Sequence, residues 1–127
     1  MDPAKNAGPS SAPPFVPAGE MLRGGLPGLA ELRIANPAQT FCMSAAGDMM
    51  EGAGIFDGDL LVIDRAILPR HGDVIVVILD GAMSVRILDL HHRQLVPANA
   101  LYEPIPITEG MGISIEGVVV STIHPLR

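Results

Sequence analysis

Apolar residues along this chain fall into short runs, cut at fairly regular intervals by glycine, aspartate and proline. Residues 1–20, MDPAKNAGPSSAPPFVPAGE, stand apart, with five prolines and only Met1, Phe15 and Val16 as larger apolar groups. Such a stretch buries too little surface to offset its ordering entropy. Residues 1–25 are therefore expected to form a flexible, extended or disordered arm ahead of one folded domain at 26–127. Leu26, Leu29 and Leu32 recur at three-residue spacing before Asn36-Pro37, which predicts a short helix or helical turn. Beyond it the period shortens. Thr40–Ala46 reads as a buried strand running into Gly47-Asp48, and Leu60–Asp64 as a second strand after the turn Asp57-Gly58-Asp59. Val74–Leu79 is strongly β-branched and stops at Asp80-Gly81. Asp-Gly between two apolar runs is a hairpin signal, so Met83–Leu90 should fold back antiparallel. Gln94–Pro97 and Ile113–Ile123 supply two more strands. The predicted fold is mainly β, a curved and mostly antiparallel sheet or partial barrel.

Composition narrows this to one domain with an aliphatic core. Of 127 residues 48% are hydrophobic and 17% charged, with three Phe, one Tyr and no Trp. Eight Lys and Arg against fourteen Asp and Glu give a net charge of −6. In the arm Asp2 and Glu20 balance Lys5 and Arg23, so residues 26–127 carry the whole excess. Phosphate tracking needs clustered basic residues, and base stacking needs aromatic platforms. Neither is present, so direct nucleic-acid binding is excluded as the main activity. The single cysteine, Cys42, excludes an internal disulfide and multi-cysteine zinc sites; its apolar surroundings predict a buried, inert thiol. No run approaches the ~20 apolar residues of a membrane span, and residues 1–11 lack the apolar centre of a secretory signal. A cytoplasmic protein without membrane contacts is expected.

Spacing alone assigns little chemistry. His91 and His92 follow Asp89, but neighbours on a strand point to opposite faces, so a solvated hairpin tip is the expectation there and no metal site. His71 lies in an Arg-His-Gly-Asp turn and His124 stands alone. Asp57, Asp59 and Asp64 do not have calcium-loop spacing, and Gly47, Gly52 and Gly54 lack the order of a phosphate-binding loop. No cofactor is implied.

Read as a whole, residues 45–88 are more specific. Gly47-Asp48-Met49-Met50, Asp57-Gly58-Asp59, His71-Gly72-Asp73, Asp80-Gly81 and Val85-Arg86 follow in order, and Gln94-Leu95-Val96-Pro97-Ala98-Asn99 and Gly117-Val118-Val119 come later. This succession resembles the serine peptidase domain of the LexA and UmuD family, most closely its UmuD-type members, over about residues 15–127. The resemblance implies the curved β domain of that family. It also implies a nucleophilic Ser in a Gly-Asp-Ser-Met motif, activated by a neutral Lys on a facing hairpin strand. Both positions differ in this sequence. Met49 stands where the Ser is expected, and a thioether cannot form an acyl intermediate. Arg86 stands where the Lys is expected, and a guanidinium stays protonated. No catalytic residue is therefore expected. Lys5 is the only lysine, and Ser44, Ser84 and His71 are the remaining groups from which a site could be rebuilt. If buried, Arg86 should pair with Asp48 or Glu51, the nearest carboxylates in the motif, while Met49 should pack on the apolar lining.

In that family the arm is cut by the domain itself, at Cys-Gly in UmuD and at Ala-Gly in LexA-type repressors. By gapless spacing the corresponding dipeptide here is Pro13-Pro14, a poor site, with Ala18-Gly19 nearby. The arm is too short for a helix-turn-helix domain, which argues against a LexA-type repressor. The expectation is a non-proteolytic UmuD-like protein of the SOS DNA-damage response. It would act as a homodimer on an error-prone, Y-family DNA polymerase subunit, with a recombinase filament as a second candidate partner. The alternatives are an active self-cleaving serine peptidase, and a decayed peptidase domain kept for dimerisation or as a decoy. The dimer contacts are expected from Ile113–Ile123 and the loop near Tyr102, the only tyrosine.

Overall fold

A computed structural model describes residues 34–126 and the backbone of a two-residue strand at Val16–Pro17. The helical turn expected at Leu26–Leu32, the arm boundary at residue 25, Lys5, Pro13-Pro14 and Ala18-Gly19 lie outside the described residues. Eight strands form one open sheet: β1 (Val16–Pro17), β2 (Thr40–Ser44), β3 (Leu60–Asp64), β4 (Val74–Leu79), β5 (Ala82–Asp89), β6 (Gln94–Val96), β7 (Ile105–Pro106) and β8 (Ile113–Ile123). Their order is β1-β2-β3-β8-β4-β5-β6-β7, and every neighbouring pair is antiparallel. The mainly β, antiparallel expectation holds.

Besides the short β7, which the sequence reading does not contain, two details differ from it. Val16–Pro17, inside the presumed arm, pairs with β2 through Val16 opposite Cys42 and Pro17 opposite Phe41. Proline has no N–H to give to a ladder, and an edge strand is where that is tolerated. The strand beginning at Thr40 ends at Ser44, because the Ala45 N–H turns to the Asp59 carbonyl (2.8 Å) and its own carbonyl accepts from Gly58 N–H (2.9 Å).

The β4–β5 hairpin turns on Asp80 and Gly81, both with positive φ (51° and 85°), while Leu79 pairs with Ala82. That is the two-residue turn whose twist matches the flanking strands. The last strand, β8, is central and joins the halves by pairing with both β3 and β4. It carries an extra residue against each neighbour. Ser121 and Val119 face Val62 and Ile63, which skips Val120; Gly117 and Ile115 face Val76 and Val77, which skips Glu116. Bulges of this kind bend and twist a strand. At the second bulge Arg65 donates from Nε to the Glu116 carbonyl and from Nη2 to its Oε1, both at 3.1 Å.

The bent sheet buries side chains on both faces. One cluster holds Met43, Ala45, Met50, Ile55, Leu61, Ile63 and Val76, with Met49, Val85 and Ile87 packed on it. The opposite face holds Ile75, Val77, Leu88, Leu95 and Val118. Cys42 is fully buried beside Val62, and burial pushes its thiol pKa up, which favours the unreactive form. The aspartates of Asp57-Gly58-Asp59 and Asp64 hold backbone in place. Asp57 accepts from Gly47 N–H (2.7 Å), and Asp64 from Ala66 N–H and Asn36 Nδ2 (2.8 Å each).

Candidate functional site

Residues 47–53 form a loop that leaves β2 and is docked on the connection between β6 and β7. Gly47 opens it with φ 84°, a conformation that favours glycine. Ala98 N–H donates to the Met49 carbonyl (2.9 Å), Gly52 N–H to the Ala98 carbonyl (2.7 Å), and Asn99 Nδ2 to the Asp48 carbonyl (2.9 Å). A Cβ on Gly52 would lie 2.5 Å from the Ala98 oxygen, so the close approach requires glycine. Met50 is buried and Met49 is half-buried on the first cluster, the packing expected for it. The loop thus fixes position 49 and presents a thioether there.

The Tyr102 hydroxyl closes this clasp by donating to Asp48 Oδ1 at 2.5 Å. The hydrogen bond to Asp48, its charge, burial and the Glu51 charge all raise the tyrosine pKa. With one tyrosine and no tryptophan in the chain, ultraviolet titration reads this group alone. The phenolate midpoint is expected above the ordinary value of about 10 and should fall back in Asp48→Asn. A midpoint at the ordinary value would show that the clasp is open in solution.

Arg86 corrects an expectation. Only 9% of the residue is exposed, yet neither Asp48 nor Glu51 reaches it. Its Nε donates to Ser84 Oγ (3.0 Å), and among the described residues its buried Nη1 has no hydrogen-bond partner. Strand alternation is the physical reason. Arg86 lies opposite Ile75 on β4 and shares the face of Ile75 and Leu88, whereas Val85 and Ile87 face the cluster on which Met49 packs. Asp48 is taken up by Tyr102, and Glu51 is exposed on a 3-10 turn at Glu51–Ala53. Burial pulls the guanidinium pKa below its usual value.

The other candidates are not assembled into a catalytic group. Ser44 is exposed and lies opposite Leu60. Ser84 is engaged with Arg86. Neither hydroxyl is hydrogen-bonded to an imidazole. His71 accepts from Leu90 N–H at Nδ1 (3.1 Å) and stacks on His91, with ring centroids 3.7 Å apart and planes at 15°.

Two ionic clusters were not legible in the spacing. Asp59, fully buried, accepts from Phe56 N–H (2.8 Å) and Thr122 Oγ1 (3.3 Å), and its Oδ1 lies 2.5 Å from His124 Nδ1. Burial alone would raise its carboxyl pKa; the Phe56, His124 and Thr122 contacts outweigh that and hold it low. Asp89 takes hydrogen bonds from Gln94 Nε2 (3.0 Å) and His92 N–H (3.0 Å), and its Oδ2 lies 2.9 Å from His92 Nδ1. Led by the Gln94 bond, these contacts hold that carboxyl well below the usual range despite its desolvation. His91 and His92 lie in the turn after β5 and not on a strand, so the alternation argument did not apply to them.

Comparison with known proteins places these features in a family. Residues 20–120 match the Peptidase S24-like family. The chain is 38% identical over 94 residues to Protein ImpA of Salmonella typhimurium, which covers 74% of this chain and 65% of ImpA. It is 39% identical over 95 residues to Protein SamA of Salmonella typhimurium strain LT2, covering 74% of this chain and 66% of SamA. It is 40% identical over 91 residues to the LexA repressor of Syntrophotalea carbinolica, covering 68% of this chain and 44% of the repressor. The matched stretch spans about two thirds of ImpA and SamA and less than half of LexA. No helix among the described residues is long and apolar enough to cross a membrane.

Proposed function

Because the chain belongs to the Peptidase S24-like family, we propose that it is a UmuD-like protein of the SOS DNA-damage response that works without cutting itself. It acts as a homodimer and offers its surface to an error-prone, Y-family DNA polymerase subunit, the role of the shortened form of UmuD. The observation that carries this reading is the joint replacement at positions 49 and 86. A thioether on the docked loop cannot be acylated, and a guanidinium cannot accept the nucleophile's proton. Apolar groups on the outer surface support work through contacts: Leu101 is 83% exposed, Tyr102 39% and Ile115 41%. They lie in the Tyr102 loop and on β8, the regions expected to form the dimer.

The purified chain is expected to stay full length, alone at alkaline pH and with an activated recombinase filament, where a UmuD-type peptidase sheds its arm. Met49→Ser should stay uncut as well, since it restores a hydroxyl but no base. Denaturing gels over several hours read both. A shortened band from the parent chain that vanishes in Ser44→Ala or Ser84→Ala would establish the active-peptidase alternative. Self-processing by Met49→Ser would overturn the argument from Arg86. Co-purification from DNA-damaged cells should recover the polymerase subunit; recovery of a second copy alone would favour a dimerisation module.

A further inference from the structure

The turn between β3 and β4 lies beside the end of β5 and the turn that follows it, which brings His71 to Asp89 and His91, eighteen and twenty residues further along the chain. We propose that His71, Asp89 and His91 form a binding site for a divalent transition ion of the zinc class. One nitrogen from each imidazole and one oxygen of Asp89 all lie within 4.8 Å of one another. His71 Nδ1 is 3.7 Å from Asp89 Oδ1. Two imidazoles and one carboxylate are the donors such ions prefer, and three protein ligands leave a fourth position for water.

The backbone holds the three groups together before any ion arrives. Gly72 N–H donates to the Leu88 carbonyl (2.7 Å) and Leu88 N–H to the Asp73 carbonyl (2.9 Å), which clamps the His71 turn to the end of β5. Arg70 N–H donates to Asp73 Oδ2 (2.8 Å) and stiffens that turn. Asp89 sits at the last position of β5, its side chain 14% exposed and held by Gln94 and His92. Outer groups of this kind orient a ligating carboxylate. His92 therefore acts as a positioning residue, with its Nδ1 on Oδ2 and its backbone N–H on Oδ1, and Oδ1 keeps its second lone pair for the side of His71.

Access is open. His71 is 43% exposed in its side chain and His91 is exposed, so an ion can enter from solvent. Binding requires the two stacked rings to splay about χ2 until their lone pairs converge, at metal–nitrogen distances of about 2.0–2.1 Å. The Leu90 N–H that donates to His71 Nδ1 is then released to water, which the exposed position of Leu90 permits. Of the two other imidazoles, His92 is engaged with Asp89 Oδ2 and His124 with Asp59, and neither joins the set.

Zinc chloride titrated into the full chain by calorimetry tests the site. The expected result is one saturable site per chain. His71→Ala and His91→Ala should each weaken it roughly 100-fold or more, and His92→Ala about tenfold, as for loss of an orienting group. His124→Ala should leave it unchanged. Cobalt in place of zinc should give a visible absorption band that disappears in His71→Ala. The substituted imidazoles are exposed, and an unchanged urea midpoint of each variant without metal confirms that it is folded. Absence of saturable binding below millimolar zinc would overturn the proposal, as would binding unaffected by His71→Ala and His91→Ala.

Discussion

Arg86→Met is expected to raise the urea midpoint of this protein with no change in slope, by a stability gain of about 1–3 kcal/mol. Only 9% of Arg86 is exposed, with one hydrogen bond from its Nε to Ser84 and a buried Nη1 that has no partner among the described residues. On the same face of the sheet lie Ile75 and Leu88, which solvate no charge. Taking an ion out of water costs several kcal/mol unless an opposite charge and full hydrogen bonding offset it. Burial lowers the guanidinium pKa, but from a starting value so high that the group stays charged at neutral pH. Methionine occupies a similar length with a flexible apolar chain and removes both the charge and the unpaired donor. Ser84, half-buried, loses only its donor partner and keeps a rotatable hydroxyl. A fall in the midpoint would mean that the guanidinium has an anionic partner in solution. The gain, if found, means that the arginine at this position is kept at a cost to stability.

The strands of this fold were legible because each is a short apolar run with a turn signal at its end. Asp80-Gly81 located the β4–β5 hairpin to the residue, and the β-branched run at 74–79 became a strand buried on both faces. What could not be read was the pairing of distant segments. β8 lies between β3 and β4, and no local pattern records that Val118 will sit beside both Asp64 and Ile75. The same limit explains the errors at the site. Proximity within the motif points to Asp48 and Glu51 as partners of Arg86, whereas the face of β5 decides which groups Arg86 meets. The His71–His91 stack depends on the register that puts Gly72 against Leu88, and neither histidine carries a signal of it. By contrast the packing of Met49 on an apolar cluster is legible, because a motif fixes its loop and its own chemistry fixes its surroundings. β7 escaped because two residues, one of them proline, give no periodicity.

Gly117→Ala is expected to lower stability by about 1–3 kcal/mol, read as a drop in the urea midpoint. The substitution looks mild, since the backbone at this position is extended and would accept any residue. The space is what forbids it. A Cβ on Gly117 would stand 2.5 Å from Ile63 Cγ2, 3.2 Å from the Asp64 carbonyl oxygen and 3.3 Å from Arg65 Cγ. Ile63 is fully buried and β-branched, so it has no other rotamer to move into without leaving the core cluster it helps to build. The Asp64 carbonyl belongs to the β3 backbone and moves only if the ladder moves. Gly117 also sits between the two bulge residues of β8, Glu116 and Val120, where the strand bends to hold β3 on one side and β4 on the other. Relief of the clash therefore has to come from prising β3 away from β8, at the junction of the two halves of the sheet. The entropy that alanine removes from the unfolded chain returns only about 0.4–1 kcal/mol, too little to offset the collision. Serine, nearly as small at Cβ, should cost about as much, whereas Gly112→Ala, whose nearest contact is the Asp80 side chain at 3.4 Å, should change little. Equal midpoints for the Gly117 and Gly112 variants would show that the junction between β3 and β8 is loose, and that the bend of β8 does not depend on a bare backbone at this position.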